Sequence, residues 1–185
     1  MEKFGEIEIV EMTLDNNEDY ERKEYPFTVM GRLVPKLENG TWSFQEELYE
    51  QPYESKYPEH EDLDEYMNSD DSIAFLYYSQ GKCLGHIRLS TSDEIKFASI
   101  DRLIVLESSR GKGIGTALLN KAKEWALQKG MKGFTLETQD VNLLACRFYL
   151  KNGLEIGAVD TMLYSTQNIK MKMQFSFIQN SNTFP

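Results

Sequence analysis

The sequence predicts an α/β (α+β) fold: a mixed, mostly antiparallel sheet of about seven strands with a central parallel crossover, helices on both faces and an N-terminal β-hairpin. Three observations predict it. Apolar runs at 73–78, 82–89 and 97–106 are broken by Ser79-Gln80-Gly81 and Thr91-Ser92-Asp93, the pattern of an antiparallel meander. Ile114, Leu118, Ala122, Trp125 and Ala126 recur at helical spacing between the strands over 100–106 and 134–138, and a strand–helix–strand unit of this kind makes a right-handed parallel crossover. Segments 27–37 and 41–48 flank Glu38-Asn39-Gly40, where Asn-Gly supplies the positive φ of a tight hairpin turn.

The elements follow in order. Alternation over 6–12 predicts a first strand, ended by the polar Asp15-Asn16-Asn17, while 18–24 is too polar to assign. After the hairpin, 49–61 is rich in Pro, Tyr and acid and is read as an ordered loop, with a short helix over 61–67. The meander leads into the helix over 114–129, closed by Lys129 and a C′ glycine at Gly130. A strand over 134–138, a helix over 142–151 ended by Asn152-Gly153, and a strand over 154–164 come next. The last strand, 171–178, alternates Met, Met, Phe and Phe with polar residues and is expected to pair with its predecessor. No internal repeat interrupts this order, and 185 residues with 41% hydrophobic content suit one domain over 1–185.

A net charge of −10 argues against a nucleic-acid or anionic-membrane partner, which would call for a basic face, and favours a cationic substrate. Cys83 and Cys146 have apolar neighbours, with no CxxC and no clustered His, so they are read as core residues, with neither a disulfide framework nor a metal site. The first residues are charged and no apolar run approaches about 18 residues, so the protein is expected in the cytoplasm. Asn39-Gly40-Thr41 is read as a turn rather than a glycosylation site.

Between the strand over 100–106 and the helix over 114–129 lies Arg110-Gly111-Lys112-Gly113-Ile114-Gly115-Thr116. A strand that feeds through glycines into a helix start directs unpaired N–H groups and the positive end of the helix dipole at one point, which suits a phosphate. Gly111, Gly113 and Gly115 are expected to allow positive φ and close backbone approach, with charge added by Arg110 and Lys112. No Lys-Ser/Thr pair follows, and the spacing is not G-x-G-x-x-G, so neither of those two templates applies. What remains, R-x-x-G-x-G, resembles the acetyl-CoA pyrophosphate loop of the GNAT superfamily of N-acetyltransferases. Gly111 is a permitted departure that lowers loop rigidity.

A second signature, Asn142-Leu143-Leu144-Ala145-Cys146-Arg147-Phe148-Tyr149 with Asn152-Gly153-Leu154, resembles another block of that superfamily, one helix and one strand further on. The resemblance covers roughly 72–178. Leu136 to Asp140, Val159 to Tyr164 and the N-terminal hairpin are similar to its streptothricin acetyltransferase branch in particular.

The resemblance implies acetyl-CoA as co-substrate, with no metal. It implies that Leu103, Ile104 and Val105 pair with the pantetheine arm and orient the thioester carbonyl, and that Tyr149 is the general acid for the departing thiolate. An amine of pKa about 10.4 is neutral only a few times in ten thousand at pH 7, so a base must take its proton; Asp101 and Glu137 are the candidates. Asn142 either holds pantetheine or serves as an N-cap. The acceptor expected is a cationic small-molecule amine, the β-lysine amine of streptothricin, met by Trp42, Asp160 and Tyr164. A polyamine, a protein N-terminus or lysine, and a non-catalytic acetyl-CoA sensor are the alternatives. A homodimer stays open.

Overall fold

The computed structural model describes residues 7–20, 27–55, 67, 69–91, 94, 96–162 and 173–180. In chain order its strands are β1 (Ile7–Glu11), β2 (Phe27–Glu38), β3 (Thr41–Ser55), β4 (Ser72–Ser79), β5 (Lys82–Ser90), β6 (Ala98–Val105), β7 (Gly133–Gln139), β8 (Glu155–Asp160) and β9 (Gln174–Asn180). The helices are α1 (Ile114–Gln128) and α2 (Leu143–Lys151). The chain divides into two compact units, one containing β1, β4–β6 and α1, the other β2, β3, α2, β8 and most of β7 and β9.

In the first unit the strand order is β1-β4-β5-β6, and each neighbouring pair is antiparallel as the meander requires. Gln80 (φ 53) and Gly81 (φ 70) make the two-residue turn from β4 to β5. On α1, Ile114, Leu118, Leu119, Ala122, Trp125 and Ala126 are buried, and the helix packs on β4, β5 and β6. The apolar residues at helical spacing thus form the stripe that covers the sheet. Gly85 lets β5 pass close beneath it: a Cβ there would stand 2.6 Å from the Ile104 carbonyl oxygen and 3.4 Å from a methyl of Leu118. Met12 and Tyr20 pack with Ala74, Leu76 and Cys83 in a separate cluster.

In the second unit β7, β9 and β8 lie in that order, with β8 and β9 antiparallel from Glu155↔Ile178 to Asp160↔Gln174. The hairpin β2–β3 turns on Asn39 (φ 51) and Gly40 (φ 76), as Asn-Gly predicts. The expected loop after residue 48 is instead strand, since β3 runs on to Ser55, pairing Tyr53 with Val29 and Ser55 with Phe27. A break in register between Val29 and Gly31 sets Tyr49 to Pro52 opposite Met30 alone, so Pro52 sits where no ladder hydrogen bond is asked of it. Gly31 faces the backbone of Glu47 and Leu48 too closely for any side chain. Phe27, Val29 and Val141 form the core beneath this bend, with Tyr49 and Tyr53 packed against it.

β8 ends at Asp160, whose carboxylate accepts the Met162 N–H (2.7 Å), and residues 163 and 164 of the strand expected over 154–164 lie outside the described residues. Of the expected helix over 61–67 only Met67 lies among the described residues, and residues 171 and 172 of the expected last strand lie outside them. Both cysteines are buried thiols, and burial pushes the Cys146 thiol up to about 12. Among the described residues no helix is long and apolar enough to cross a membrane.

Candidate active site

The glycine loop begins where β6 ends. Leu106 leads into a 3-10 turn, Glu107–Ser109, after which the chain turns through Gly111 (φ 76) and Gly113 (φ 84) into α1. Both glycines have the left-handed backbone that disfavours other residues, and a Cβ at either would meet no atom of the described residues within 4 Å. The backbone path, not packing against those residues, is what calls for glycine here. The first α1 bond runs from the Ala117 N–H to the Gly113 carbonyl (2.9 Å), so the amides of Ile114 and Gly115 come before the first intrahelical donor. Gly113, at the N-cap, offers no capping side chain, and the first turn carries no acid. That combination suits an anion at the helix start, as the pyrophosphate of acetyl-CoA would be.

The flanking residues take more specific parts than their types suggest. Arg110 Nε donates to the Val105 carbonyl (3.1 Å) and Lys112 Nζ to the Ser108 carbonyl (3.1 Å). Both cations thereby shape the loop as well as charge it. Ile114 is buried and anchors the helix start, leaving only its backbone for a ligand, while Thr116 is exposed. Gly115, expected to share the positive φ of the other two, lies in the first turn of α1 and is not left-handed. Its smallness, not its φ, is what it brings.

On β6, Leu103 pairs with Ile87, Ile104 with His86 and Val105 with Gly85. The strand is buried at Ala98 and Ile100 but half-buried at every residue from Asp101 to Val105. Its C-terminal half is less covered than its start. The register slips where Arg88 faces Arg102 but Leu89 faces Ile100, leaving Asp101 as the extra residue of a bulge. Ser99 Oγ donates to Asp101 Oδ1 (2.7 Å), while Oδ2 is buried and accepts no hydrogen bond among the described residues. Nearby, the ring of Tyr20 lies 4.2 Å from that of His86, whose pKa is lowered to about 4 by burial and, secondarily, by Arg88.

In the second unit Glu137 is exposed on β7, two residues before its end. Asn142 is the N-cap of α2, its Oδ1 accepting the Ala145 N–H (3.3 Å). Of the two readings its sequence position allows, this is the one the side chain is seen to fill. Tyr149 is 8% exposed and more buried than its neighbour Phe148. Its ring stands 5.5 Å from Phe177 and 5.4 Å from Phe148.

Trp42 is 46% exposed near the hairpin tip, stacked on Phe44 (6.4 Å), whose ring meets Phe175 edge-on. Asp160 is exposed at the end of β8, and Tyr164 lies outside the described residues.

A polar and aromatic group that the sequence reading left out stands on the same hairpin. Arg32 pairs with Glu47 (2.8 Å) and Arg147 of α2 with Glu46 (2.5 Å). Tyr49 and Tyr53 stack at 6.3 Å and 12°, close enough to the buried Asp140 for its charge to raise both phenols, though burial is the larger cause. The main chain of Asp140 bonds to Leu33 and Met173 on either side. The signal was present in the acid- and Tyr-rich run after residue 48, but reading it as a loop hid the pairing that brings it to Asp140.

The chain belongs to the acetyltransferase (GNAT) family, whose model matches residues 40–154. It is 45% identical over 158 residues to streptothricin acetyltransferase A of Bacillus subtilis (strain 168), an alignment covering 85% of this chain and 90% of that one. A streptothricin acetyltransferase of Escherichia coli is 36% identical over 117 residues, 63% of each chain. Among solved structures, a Bacillus anthracis (str. Ames) protein assigned as a streptothricin acetyltransferase, in complex with acetyl coenzyme A, superposes with a TM-score of 0.85. It is 28% identical, and the match spans 95% of this chain and 99% of that one.

Proposed function

We infer that the protein is an acetyl-CoA-dependent N-acetyltransferase whose acceptor is a primary amine of a cationic small molecule, the β-lysine amine of streptothricin. The observation that carries this reading is the 45% identity to streptothricin acetyltransferase A over 90% of that protein's length. The net charge of −10 agrees with a polycationic acceptor.

Acetyl-CoA supplies an activated acyl group as a thioester. The chain's own task begins with the acceptor, since holding an amine of pKa about 10.4 neutral at pH 7 carries a handicap of roughly 4.6 kcal/mol. Asp101 is the base we assign, because its buried Oδ2 has no hydrogen-bond donor among the described residues and stands at a bulge of β6, the strand expected to hold the thioester. Glu137, exposed on β7, is the second candidate. The backbone of Leu103, Ile104 and Val105 orients the thioester carbonyl, and the glycine loop from Arg110 to Thr116 holds the pyrophosphate. The Tyr149 phenol protonates the departing thiolate. Asn142 fixes the start of the helix that carries Tyr149.

For the acceptor side we propose Trp42, Asp160 and Tyr164, joined by the stacked pair Tyr49 and Tyr53, as aromatic and acidic contacts for an ammonium group. We assign the reaction to one acetyltransferase domain over 1–185 in the cytoplasm, with no nucleic-acid or membrane partner, and the same chemistry is open to a monomer or a homodimer.

The test is release of free CoA thiol when the protein and acetyl-CoA meet an amine panel of streptothricin, a polyamine and an N-terminal peptide. Release with streptothricin alone supports this reading. Release with the polyamine or the peptide alone moves the acceptor to that class, and release with none supports a non-catalytic acetyl-CoA sensor.

A further inference from the structure

We propose that Ser99 is a positioning residue for this reaction: its hydroxyl holds the Asp101 carboxylate so that one oxygen, Oδ2, is aimed as the proton acceptor. The inference rests on Asp101 being the base. A carboxylate has two equivalent oxygens and turns about its own axis, so a base free to rotate offers the amine's proton a moving target. Here the two oxygens differ. Oδ1 takes the Ser99 hydroxyl at 2.7 Å, while Oδ2 is buried and unpartnered among the described residues.

The backbone explains why the pair forms. Residues two apart on a strand lie on one face, and the slip of register between Arg88 and Leu89 leaves Asp101 without a partner on β5. Ser99 itself stays in register, paired with Ser90. One member is thus fixed by the ladder and the other is released by the bulge, so the hydroxyl is the firm end and the carboxylate the aimed one. A buried carboxylate oxygen without a donor is costly, and an acceptor's N–H is the group that would satisfy it. Proton transfer depends on such reach before it depends on basicity.

If Ser99 acts only through Asp101, its removal lowers turnover without weakening substrate binding, and it does nothing further once Asp101 cannot accept a proton. Steady-state kinetics on Ser99→Ala, Ser99→Thr, Asp101→Asn and the Ser99→Ala/Asp101→Asn pair test this. We expect Ser99→Ala to lower kcat about tenfold with little change in either KM, as loss of one hydrogen bond to a charged group predicts. Ser99→Thr, which keeps a hydroxyl on Cβ, restores kcat, and the double variant matches Asp101→Asn alone. A tenfold loss from Ser99→Ala that repeats in the Asp101→Asn background, or a loss of fold in Ser99→Ala that Thr also fails to repair, overturns the proposal. Near-native kcat in Asp101→Asn overturns the assignment of the base itself, a separate outcome.

Discussion

Arg110 Nε donates to the carbonyl oxygen of Val105 at 3.1 Å, which ties the last residue of β6 to the head of the glycine loop. The loop cation is therefore part of the turn's construction. Lys at this position keeps the charge but has no nitrogen at the Nε place, so Arg110→Lys is expected to raise the Kd for acetyl-CoA by about five- to tenfold, the worth of roughly one hydrogen bond. Calorimetric titration reads this directly; unchanged affinity would show that charge alone is what the position supplies.

Gly113, at φ 84 and with no atom of the described residues within 4 Å of where a Cβ would stand, separates strain from ligand clash. Gly113→Ala is expected to cost about 1 kcal/mol of stability for its left-handed backbone. Gly113→Asp adds an anion at the helix start and is expected to abolish acetyl-CoA binding while leaving a folded protein. Full acetyl-CoA affinity in a folded Gly113→Asp variant would remove the pyrophosphate from this loop.

Tyr149→Phe deletes one hydroxyl and keeps the ring that packs against Phe177. If the phenol is the general acid, kcat falls roughly 10- to 1000-fold with the thermal midpoint little changed. A kcat close to wild type would make Tyr149 a packing residue, as its burial would by itself allow.

His86 gives the protein a pH-dependent stability. Its folded pKa is about 4 against an ordinary 6.5, so between these values the unfolded chain binds the proton that the folded chain refuses. The stability is present above about 6.5 and is lost as the pH falls toward 4, about 2 kcal/mol between pH 7 and pH 5 from this group. Urea midpoints at those two pH values check it, and His86→Phe, which can keep a ring against Tyr20, should flatten the difference.

Much of this was legible in the residues. Asn39-Gly40, Gln80-Gly81 and the glycines at 111 and 113 all take the positive φ that their turns require, and such signals are local. What escaped depends on pairing between distant segments. The continuation of β3 to Ser55 needs β2 as its partner and a bend that accommodates Pro52, so composition alone made it a loop. The bulge at Asp101 exists only in the register of β6 against β5, and nothing in Ser99-Ile100-Asp101 announces it. Tyr149 and Phe148 were distinguished by role from a motif, but how deep each lies depends on where Phe177 falls. Gly115 carried the same letter as Gly113 and a different backbone, because the helix begins between them.

The central claim, direct acetyl transfer to a cationic acceptor, is tested most directly by mass spectrometry and steady-state kinetics on streptothricin incubated with acetyl-CoA. We predict one acetyl group, located on the β-lysine amine, formed with a kcat/KM that falls as salt rises through about 0.1 M, where the Debye length is roughly 10 Å. No acetylation of streptothricin, together with efficient acetylation of a neutral or anionic amine, would contradict it.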